Sequence, residues 1–456
     1  MNQTVPVAGV DVSKRFSDLC VLAPNNDVLT RMKIYHDLPS MERALTELRR
    51  IEGEYGTTPV VVMESTSHYH LILFQFFQEA GLEVIVVNPI QSGALKNINV
   101  RKVKNDKVDA YKMAILYRLK VLRASQVPTN SLRGLRLLCR QRSELMGDVT
   151  RYKNRLTAYL DQVFPGYDEV FSDVGGVSSR AVLKECATPQ VLLSKSEDEL
   201  ADLIHTASRC GMAFSRKKSV KLHTVAEEAA KLGIIAPGTT AVIATVLNVL
   251  EILLQNIQQI EQDIKALVKQ ETYIQKNLIL LQTIPGIGFN SALTILAEIG
   301  DFSLFRKPKQ LAAYFGLDPG ERQSGKFRGS KNKMSKRGSP QVRAALHMAA
   351  VNSVAIQKKR PTCNPVLAAY YEEKIKSKPG KVAMCAVMRK ISNIIFAVLR
   401  DQKPFELRQP QEHTQSLRAC SKTFDKSVQK VDNKEKPAGV EGKDASIPKR
   451  YQSGGI

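Results

Sequence analysis

The sequence VAGVDVS, residues 7–13, decides how the N-terminal part of the chain folds. It is a short apolar run that indicates a buried strand, yet it carries one carboxylate, Asp11, near its middle. Burying an ionised group is costly unless a cation meets it. Asp11 is therefore the first candidate for a metal ligand.

Three further acids occur in comparable settings. Glu64 ends the apolar run PVVVME, and Asp106 and Asp109 share one helix face through their i, i+3 spacing in KNDKVDAYKMA. Two negative charges about 4 Å apart repel by about 4 kcal/mol at an effective dielectric constant of about 20, so four acids in one pocket require a cation. For Asp109 an ion pair with Lys104 or Lys112 is the simpler alternative.

Carboxylate oxygens suit Mg²⁺ or Mn²⁺ better than zinc. Two such ions about 4 Å apart would clamp the attacking and leaving oxygens of a phosphodiester. We therefore expect the four acids to bind divalent metal that acts on nucleic-acid phosphate.

The composition favours a polyanionic partner, above all nucleic acid. The chain has 456 residues, with 67 Lys and Arg against 44 Asp and Glu, which gives a net charge of +23. A basic surface that binds nothing is the alternative. Apolar runs stay short of the roughly 18 residues of a membrane span, and the N-terminus has no signal-peptide pattern. The seven scattered cysteines form no CxxC pair, which fits a reduced cytoplasmic protein.

Residues 1–125 are predicted to form an α/β domain of the ribonuclease-H-like (RuvC-like) type. The pattern predicts three strands in a meander, then helix, strand, helix, strand and helix. Ser40 is the expected cap of the first helix, and Gly81 is expected to close the second. Gly9-Val10-Asp11 could also belong to an actin-like sugar kinase, which shares this fold. The net charge and the lack of a second, glycine-rich phosphate motif count against that alternative.

Residues 126–275 are predicted to form a helical coiled-coil arm with an insertion. Apolar heptads run through residues 131–163, interrupted by Arg142, and again through residues 246–267. They bracket residues 166–240, which contain helical pieces but no interpretable motif. An ordinary helix-bundle core is the alternative to an antiparallel arm.

Residues 276–405 are predicted to form a mostly helical domain. TIPGIGFNSALTILAEIG resembles a helix-hairpin-helix element, in which Gly286 and Gly288 let backbone amides approach a phosphate. A plain helix–helix turn is the alternative. Residues 306–338 hold ten Lys and Arg against two acids, and we expect a flexible cationic loop. Residues 406–456 are polar and charged, which predicts a disordered basic tail.

Two motif sets resemble one family. GVDVSK, VVMESTSHYH, VVNP and KNDKVDA resemble the DEDD, RuvC-like domain of the IS110-type insertion-sequence transposases. TIPGIGFNSALTILAEIG, QLAAYFGLDPGERQSGKFRGSKNKMSKRG and VRAALHMAA resemble that family's C-terminal transposase domain. The resemblance covers both ends of residues 5–405. It implies a recombinase that excises and inserts its own element, guided by a structured bridge RNA that pairs with donor and target DNA.

The resemblance also assigns residues. Asp11, Glu64, Asp106 and Asp109 correspond to the DEDD acids, and Ser324, just after FGLDP, to the nucleophile of a serine recombinase. Ser324 would attack a DNA phosphate and form a phosphoserine link. Its position after FGLDP favours it over three neighbouring serines, Ser330, Ser335 and Ser339. In this family the serine and the acids come from different subunits, which implies a homo-oligomer, a dimer or tetramer. Ser67 stands where the family usually has glycine.

The predicted partners are double-stranded donor and target DNA and a bridge RNA, in the cytoplasm of a bacterium or archaeon, at the nucleoid when active, with no membrane. A nuclease that resolves Holliday junctions with metal-activated water is one alternative. A decayed transposase kept as a nucleic-acid-binding protein is another. The residues expected to contact nucleic acid are Arg101, Lys102, Lys104, Gly286, Gly288, Lys326, Arg328, Lys331, Lys333, Lys336 and Arg337.

Overall fold

The structure is a computed structural model that describes most of residues 5–408. The described ranges are 5–65, 67–87, 106–120, 124–125, 130–320, 323–324, 327–328, 333–355 and 362–408, with backbone alone at 106–108, 124–125, 323–324 and 327–328. The chain divides into two compact units, Met1–Leu132 and Arg133–Ile456. The domain boundaries at residues 125, 275 and 405 stay predictions, and the predicted tail lies outside the described residues from 409 onward.

The first unit is built on one mixed sheet. Its strands lie in the order β3-β2-β1-β4-β5-β6, where β1 pairs antiparallel with β2 and parallel with β4. The predicted α/β domain and its element order are confirmed. The strands are β1 Val7–Val12, β2 Phe16–Leu22, β3 Val28–Tyr35, β4 Val60–Glu64, β5 Val84–Val87 and β6 Ala124–Ser125, and the helices are α1 Leu38–Tyr55, α2 His70–Glu79 and α3 Asp106–Arg118.

The two faces of this sheet are both buried, by different helices. Side chains alternate along a strand, so Ala8 and Val10 pack with α1 and α2, whereas Val7 packs with α3. Val62 of β4 joins Val7 against Ala110 of α3. The odd-numbered positions of β1, including Asp11, therefore share the face that α3 covers.

The helix α3 lies directly on β1 because Gly9 has no side chain. An ideal Cβ at Gly9 would lie 2.1 Å from the carbonyl oxygen of Ala110 and 2.8 Å from the backbone nitrogen of Ala114. At the far end of α3, the Arg118 guanidinium donates to the carbonyl oxygens of Val5 at 3.2 Å and Ala23 at 2.6 Å. The helix therefore runs antiparallel to β1, with its N-terminus at the carboxyl end of that strand.

Two predicted helix ends can be compared with the structure. Asp37, not Ser40, caps α1, since its carboxylate accepts the backbone N–H of Ser40 at 2.8 Å. The prediction was wrong because the helix begins before Ser40, with a proline in its first turn, and the Ser40 hydroxyl instead accepts from the Tyr35 amide. Gly81 follows the end of α2 with a φ of 80°, as expected of a glycine that closes a helix.

The second unit is mostly helical in the part that the structure describes. Its helices are α4 Asn130–Val163, α5 Tyr167–Val170, α6 Val177–Glu185, α7 Pro189–Leu193, α8 Glu197–Ser208, α9 Met212–Leu232, α10 Thr239–Gln270, α11 Thr272–Gln282, α12 Phe289–Ile299, a short 3₁₀ helix Phe302–Leu304, α13 Pro308–Tyr314, α14 Pro340–Val354, α15 Pro365–Ile375 and α16 Gly380–Asp401. Two short strands, β7 Gln323–Ser324 and β8 Phe327–Arg328, form a hairpin.

The two long helices α4 and α10 pack antiparallel. The Arg142 guanidinium, which interrupts the first heptad pattern, pairs with Glu261 at 2.7 Å, and Gly134 lies beside Leu267. Farther along, α4 and α10 share one hydrophobic core with the insertion helices α5–α9, where Tyr167 is fully buried. The heptad residues therefore pack the two long helices against each other and also contribute to the core that these helices form with α5–α9.

The helices α10 and α16 are long and apolar enough to cross a membrane by length and composition alone. Core helices of soluble proteins meet the same criterion, and both helices bury residues such as Leu250 and Ile391 in the protein interior. The finding is weak support for a membrane span.

Replacing Gly9 with alanine tests the contact that seats α3. Overpacking costs about 1–3 kcal/mol in ordinary cores, and a Cβ that meets fixed backbone should destabilise the fold by at least about 3 kcal/mol. Urea unfolding followed by circular dichroism measures the change. Gly53→Ala is the matched control, because Gly53 lies inside α1 with open space around it and should gain about 0.5–1 kcal/mol. Equal stabilities for the two variants would contradict this description.

Candidate active site

Asp11 and Glu64 lie at the same edge and on the same face of the first unit's sheet. β1 and β4 are adjacent and parallel, and their register pairs Val10 with Met63, one residue before each acid. Asp11 follows Gly9 by two positions and Glu64 follows Val62 by two, so both share the face covered by α3. Both are partly buried. The sheet therefore places these two predicted ligands on neighbouring strand ends.

The helix α3 carries the remaining two acids to this edge. Ala110 lies on Gly9, and the four helical residues from 110 back to 106 span about 6 Å, nearly the length of two strand residues. Asp106, the first residue of α3, is therefore level with Asp11. Asp109 is partly buried, and its carboxylate lies 3.4 Å from Lys112 Nζ, so the predicted alternative of a salt bridge is present.

The donor set consists of carboxylates, which fits a hard divalent cation rather than zinc. Among the residues whose side chains are described, no three His, Cys, Asp or Glu lie close enough together to hold a metal ion. The Asp106 side chain lies outside that description. The fold thus brings four acid positions to one edge, without gathering three described carboxylates around a single point.

A fifth acid, Asp18, belongs to the same face and was missed in the sequence. The register of β1 and β2 pairs Asp18 directly with Asp11, and Asp18 is only 5% exposed. On its other side, in the register of β2 and β3, Asp18 lies opposite Lys33. The alternation in FSDLCVL, which places Asp18 in line with Cys20 and Leu22, was the available signal. Without the strand register, that alternation does not identify Asp11 as its neighbour.

Ser67, which stands where the family usually has glycine, lies in the turn after β4 and has an unusual backbone conformation. Ser67 has a φ of 50°, a left-handed conformation that glycine adopts without a Cβ penalty. The preference for glycine expected from the family resemblance thus has a backbone cause. The acid Glu64 lies in the preceding strand and keeps its register with β5.

In the second unit, FGLDP begins a segment whose ends are locked together by two glycines. Gly316 has a φ of 71°, and an ideal Cβ at Gly338 would lie 2.0 Å from the carbonyl oxygen of Tyr314. Next to this contact, the Ser335 hydroxyl donates to the Asp318 carboxylate at 2.5 Å, and the Ser335 amide donates to the Asp318 carbonyl at 2.8 Å. The segment between residues 318 and 335 therefore starts from a rigid base.

Ser324 lies on a β-hairpin that rises from this base. Gly320 donates to the Lys333 carbonyl at 2.8 Å, and farther along Ser324 pairs with Phe327. The described part of residues 306–338 thus contains regular structure, the helix α13 and these short strands, where an irregular loop was expected. The side chain of Ser324 lies outside the described residues.

Two of the rival serines already have structural roles. Ser335 bonds Asp318 at the hairpin base. Ser339 caps α14, where its hydroxyl accepts the Val342 amide at 3.4 Å and donates to Gln341 at 2.9 Å. Ser330 lies outside the described residues. Ser335 and Ser339 therefore have structural roles, and the role of Ser324 stays a prediction.

Both units match transposase families. Residues 8–165 match the DEDD-type family described as Transposase, and residues 279–372 match the family described as Transposase IS116/IS110/IS902. The chain belongs to the IS110-type transposases. The match to a DEDD transposase domain also suggests that divalent metal is used.

Individual relatives agree with this family. The pilin gene-inverting protein of Moraxella bovis is 34% identical over 34% of this chain and 46% of its own length. The insertion element IS110 uncharacterized 43.6 kDa protein of Streptomyces coelicolor is 22% identical over 82% of this chain and 89% of its own length. The transposase for insertion sequence element IS1111A of Coxiella burnetii is 31% identical over 37% of this chain. The chain spans about half the length of the Moraxella and Coxiella proteins.

The two glycines of the family's TIPGIG motif differ in their surroundings. Gly286 has a φ of 94°, and an ideal Cβ there would lie 2.2 Å from Ser353 Oγ, so this glycine allows close packing on α14. An ideal Cβ at Gly288 meets nothing within 4 Å, and Gly288 directly precedes α12. Gly288 is therefore the position of the two with an open approach to a helix N-terminus.

The predicted phosphate-contacting cations are only partly covered by the structure. Lys333, Lys336 and Arg337 are exposed at the base of the hairpin. Arg328 has a described backbone alone. The other predicted cations lie outside the described residues, namely Arg101, Lys102, Lys104, Lys326 and Lys331.

A buried carboxylate and its arginine partner fix the helix that precedes the hairpin. Glu298 of α12 is 3% exposed, and its carboxylate accepts two hydrogen bonds from Arg140 of α4 at 2.7 and 2.9 Å. These bonds raise the pKa of Arg140. The Tyr314 hydroxyl donates to the Glu298 carbonyl at 2.9 Å, and burial raises the pKa of Tyr314. Tyr314 is the last residue of α13 and lies two residues before Gly316. The contacts among Arg140, Glu298 and Tyr314 therefore anchor the base of the hairpin to α4.

Removing Arg140 tests that anchor. Arg140→Ala leaves the Glu298 carboxylate, whose side chain is 4% exposed, without its two hydrogen bonds from Arg140, which should cost about 3 kcal/mol of unfolding free energy. Urea unfolding measures the loss. Arg142→Ala is the matched control, because the carboxylate that it leaves behind, Glu261, is 36% exposed, so the loss should be about 1 kcal/mol or less. Similar losses for both variants would show that burial of Glu298 has no special weight.

Proposed function

We propose that the chain is a DNA transposase and recombinase that cleaves and rejoins strands at the ends of a mobile element. One observation supports the proposal above all: the edge of a sheet with four acid positions occurs in the same chain as a hairpin with a fixed base, and the backbone of Ser324 belongs to that hairpin. The order of strands and helices in the first unit supports a ribonuclease-H-like domain. Family membership supports both assignments.

In the proposed reaction the Ser324 hydroxyl oxygen attacks a DNA phosphorus and loses its proton to a nearby base or to water. The new oxygen–phosphorus bond forms a phosphoserine, while the bond to one deoxyribose oxygen breaks and that oxygen takes up a proton. A second deoxyribose hydroxyl reverses these events on the new strand. A divalent ion held by Asp11, Glu64, Asp106 and Asp109 would polarise the phosphate and stabilise its developing charge.

The contribution of this chain's own residues is mainly orientation. Positioning reacting groups can supply about 7–11 kcal/mol of a barrier when their geometry is held. The contacts at Asp318, Ser335 and the two glycines hold the hairpin base. Lys333, Lys336 and Arg337 would bind the DNA backbone as the hairpin approaches the scissile phosphate.

The proposed partners are double-stranded DNA and an RNA that guides the choice of site. The net charge of +23 supports binding to nucleic acid. We further propose a homo-oligomer in which the acids of one subunit meet Ser324 of another, and Mg²⁺ or Mn²⁺ as the cofactor.

Trapping a covalent adduct tests the nucleophile. A plasmid carrying the gene with its native flanking DNA is incubated with the protein, RNA transcribed from those flanks and Mg²⁺, and adducts are separated on a denaturing gel. Ser324→Ala should abolish the protein–DNA adduct, because the attacking oxygen is gone.

Ser335→Ala is the matched control for this experiment. It removes a hydroxyl eleven positions away that the structure assigns to the hairpin base. The adduct should persist in this variant, with a lower yield because the base is loosened. Strand cleavage that survives in Ser324→Ala would overturn the serine mechanism and favour metal-activated water.

Replacing Asp11 tests the metal site through binding as well as activity. Asp11→Asn keeps the size of the side chain but removes a charged ligand, so Mn²⁺ affinity measured by calorimetry should fall about tenfold or more. Adduct formation should fall with it. Glu83→Gln, an equal change of charge at an exposed position of the same unit, should leave both unchanged. An unchanged Mn²⁺ affinity in Asp11→Asn would remove Asp11 from the site.

A further inference from the structure

The end of the second unit carries a cationic stretch that the proposed mechanism does not use. Residues 374–400 contain seven Lys and Arg and no Asp or Glu. The C-terminal family match ends at residue 372, so this stretch lies beyond it. A charge excess of one sign along a helix pair favours a polyanionic partner.

The fold leaves most of these cations exposed to solvent. Inward-facing residues of α16, such as Val387 and Ile391, are fully buried. The exposed cations lie on α16 and in the turn that follows α15, and Lys374 at the end of α15 is partly buried. We call this group of cations the lysine face, and it consists of Lys374, Lys376, Lys378, Lys381, Arg389 and Lys390.

One aromatic ring joins the two helices of the lysine face. Lys374 Nζ of α15 lies 5.2 Å from the centre of the Tyr370 ring, and Lys390 Nζ of α16 lies 5.4 Å from it. Attraction between an ammonium group and the ring face offsets the repulsion between the two lysines. Tyr370 therefore holds two cations from different helices close together, as binding of a shared phosphate requires.

Acids compensate only a small part of this charge. Glu373 pairs with Lys374 at 3.0 Å, and Glu372 lies beside it on the exposed side of α15. Lys376, Lys378 and Lys381 follow in the turn with no intervening acid. The lysine face thus keeps a net positive charge of about four, enough to neutralise several phosphates.

We propose that the lysine face binds the phosphodiester backbone of nucleic acid, as a second contact surface in addition to the hairpin cations. This inference rests on the proposed function and extends it. Lysines act as mobile point charges without base readout, so this contact adds affinity irrespective of sequence. It would secure a strand while the active site exchanges its partner.

A salt titration of binding tests the proposal in the full chain. Fluorescence anisotropy is measured with a 30-base-pair duplex DNA of random sequence and with a 30-nucleotide single-stranded RNA. The test variant combines Lys376→Gln, Lys378→Gln, Lys381→Gln and Lys390→Gln. The slope of log affinity against log salt should become less steep by about 3.6 for duplex DNA or about 2.8 for RNA, with affinity at least tenfold weaker near 0.1 M salt. The arm that changes identifies which nucleic acid is bound.

The matched control removes the same charge elsewhere in the second unit. It combines Lys231→Gln, Lys265→Gln, Lys269→Gln and Lys276→Gln, all at exposed helical positions, and its slopes should stay close to those of the unmodified chain. Thermal melting confirms that both variants fold.

Slopes that do not differ between the two variants would overturn the proposal. Loss of binding to phosphatidylserine vesicles with unchanged nucleic-acid slopes would also overturn it, in favour of a membrane surface. The trapping of a covalent protein–DNA adduct is a separate experiment. If no adduct forms but the salt slopes of the lysine-face variant still change, the recombinase mechanism is rejected and the lysine face is retained.

Discussion

The close approach of α3 to Gly9 is the constraint on which the N-terminal unit depends. A helix backbone rarely touches a strand, because a side chain normally separates them. Here the carbonyl of Ala110 occupies the space that a Cβ would need. This contact sets the distance between α3 and β1, and the bonds from Arg118 to the carbonyls of Val5 and Ala23 fix the C-terminal end of α3. The acids at the start of α3 reach the carboxyl edge of β1 for that reason.

In the second unit, glycines likewise allow a close backbone contact, here at the base of the hairpin that contains Ser324. Gly316 and Gly338 meet without side chains, and this contact closes the base of the Ser324 hairpin. The buried Glu298 carboxylate, through its bonds to Arg140, then ties α12 to α4. In each unit a segment proposed to carry chemistry is held by glycine contacts and polar anchors, since long polar side chains alone would leave it too mobile for transfer reactions.

The acids at the carboxyl ends of β1 and β4 and at the start of α3 cannot be assigned as metal ligands from their charge alone. Asp109 has a nearby cation, Lys112, and Asp18 lies between Asp11 and Lys33 across the sheet. For Asp109, the proposed role as a metal ligand therefore competes with ordinary ion pairing. The motif order identified the DEDD acids, whereas Asp18 became visible only through strand pairing.

The sequence by itself determined the local elements and the family. Short apolar runs predicted the strands, heptads predicted α4 and α10, and the motifs around Asp11 and FGLDP identified an IS110-type transposase. These features are local in sequence, because side-chain periodicity and backbone preference act over a few residues. The tertiary structure alone decided what depends on packing between elements. It paired Arg142 with Glu261 and Glu298 with Arg140, seated α3 on Gly9 and placed Asp18 opposite Asp11. These contacts join residues of different helices and strands, and the energy that selects them exists only once the backbone has brought those elements together.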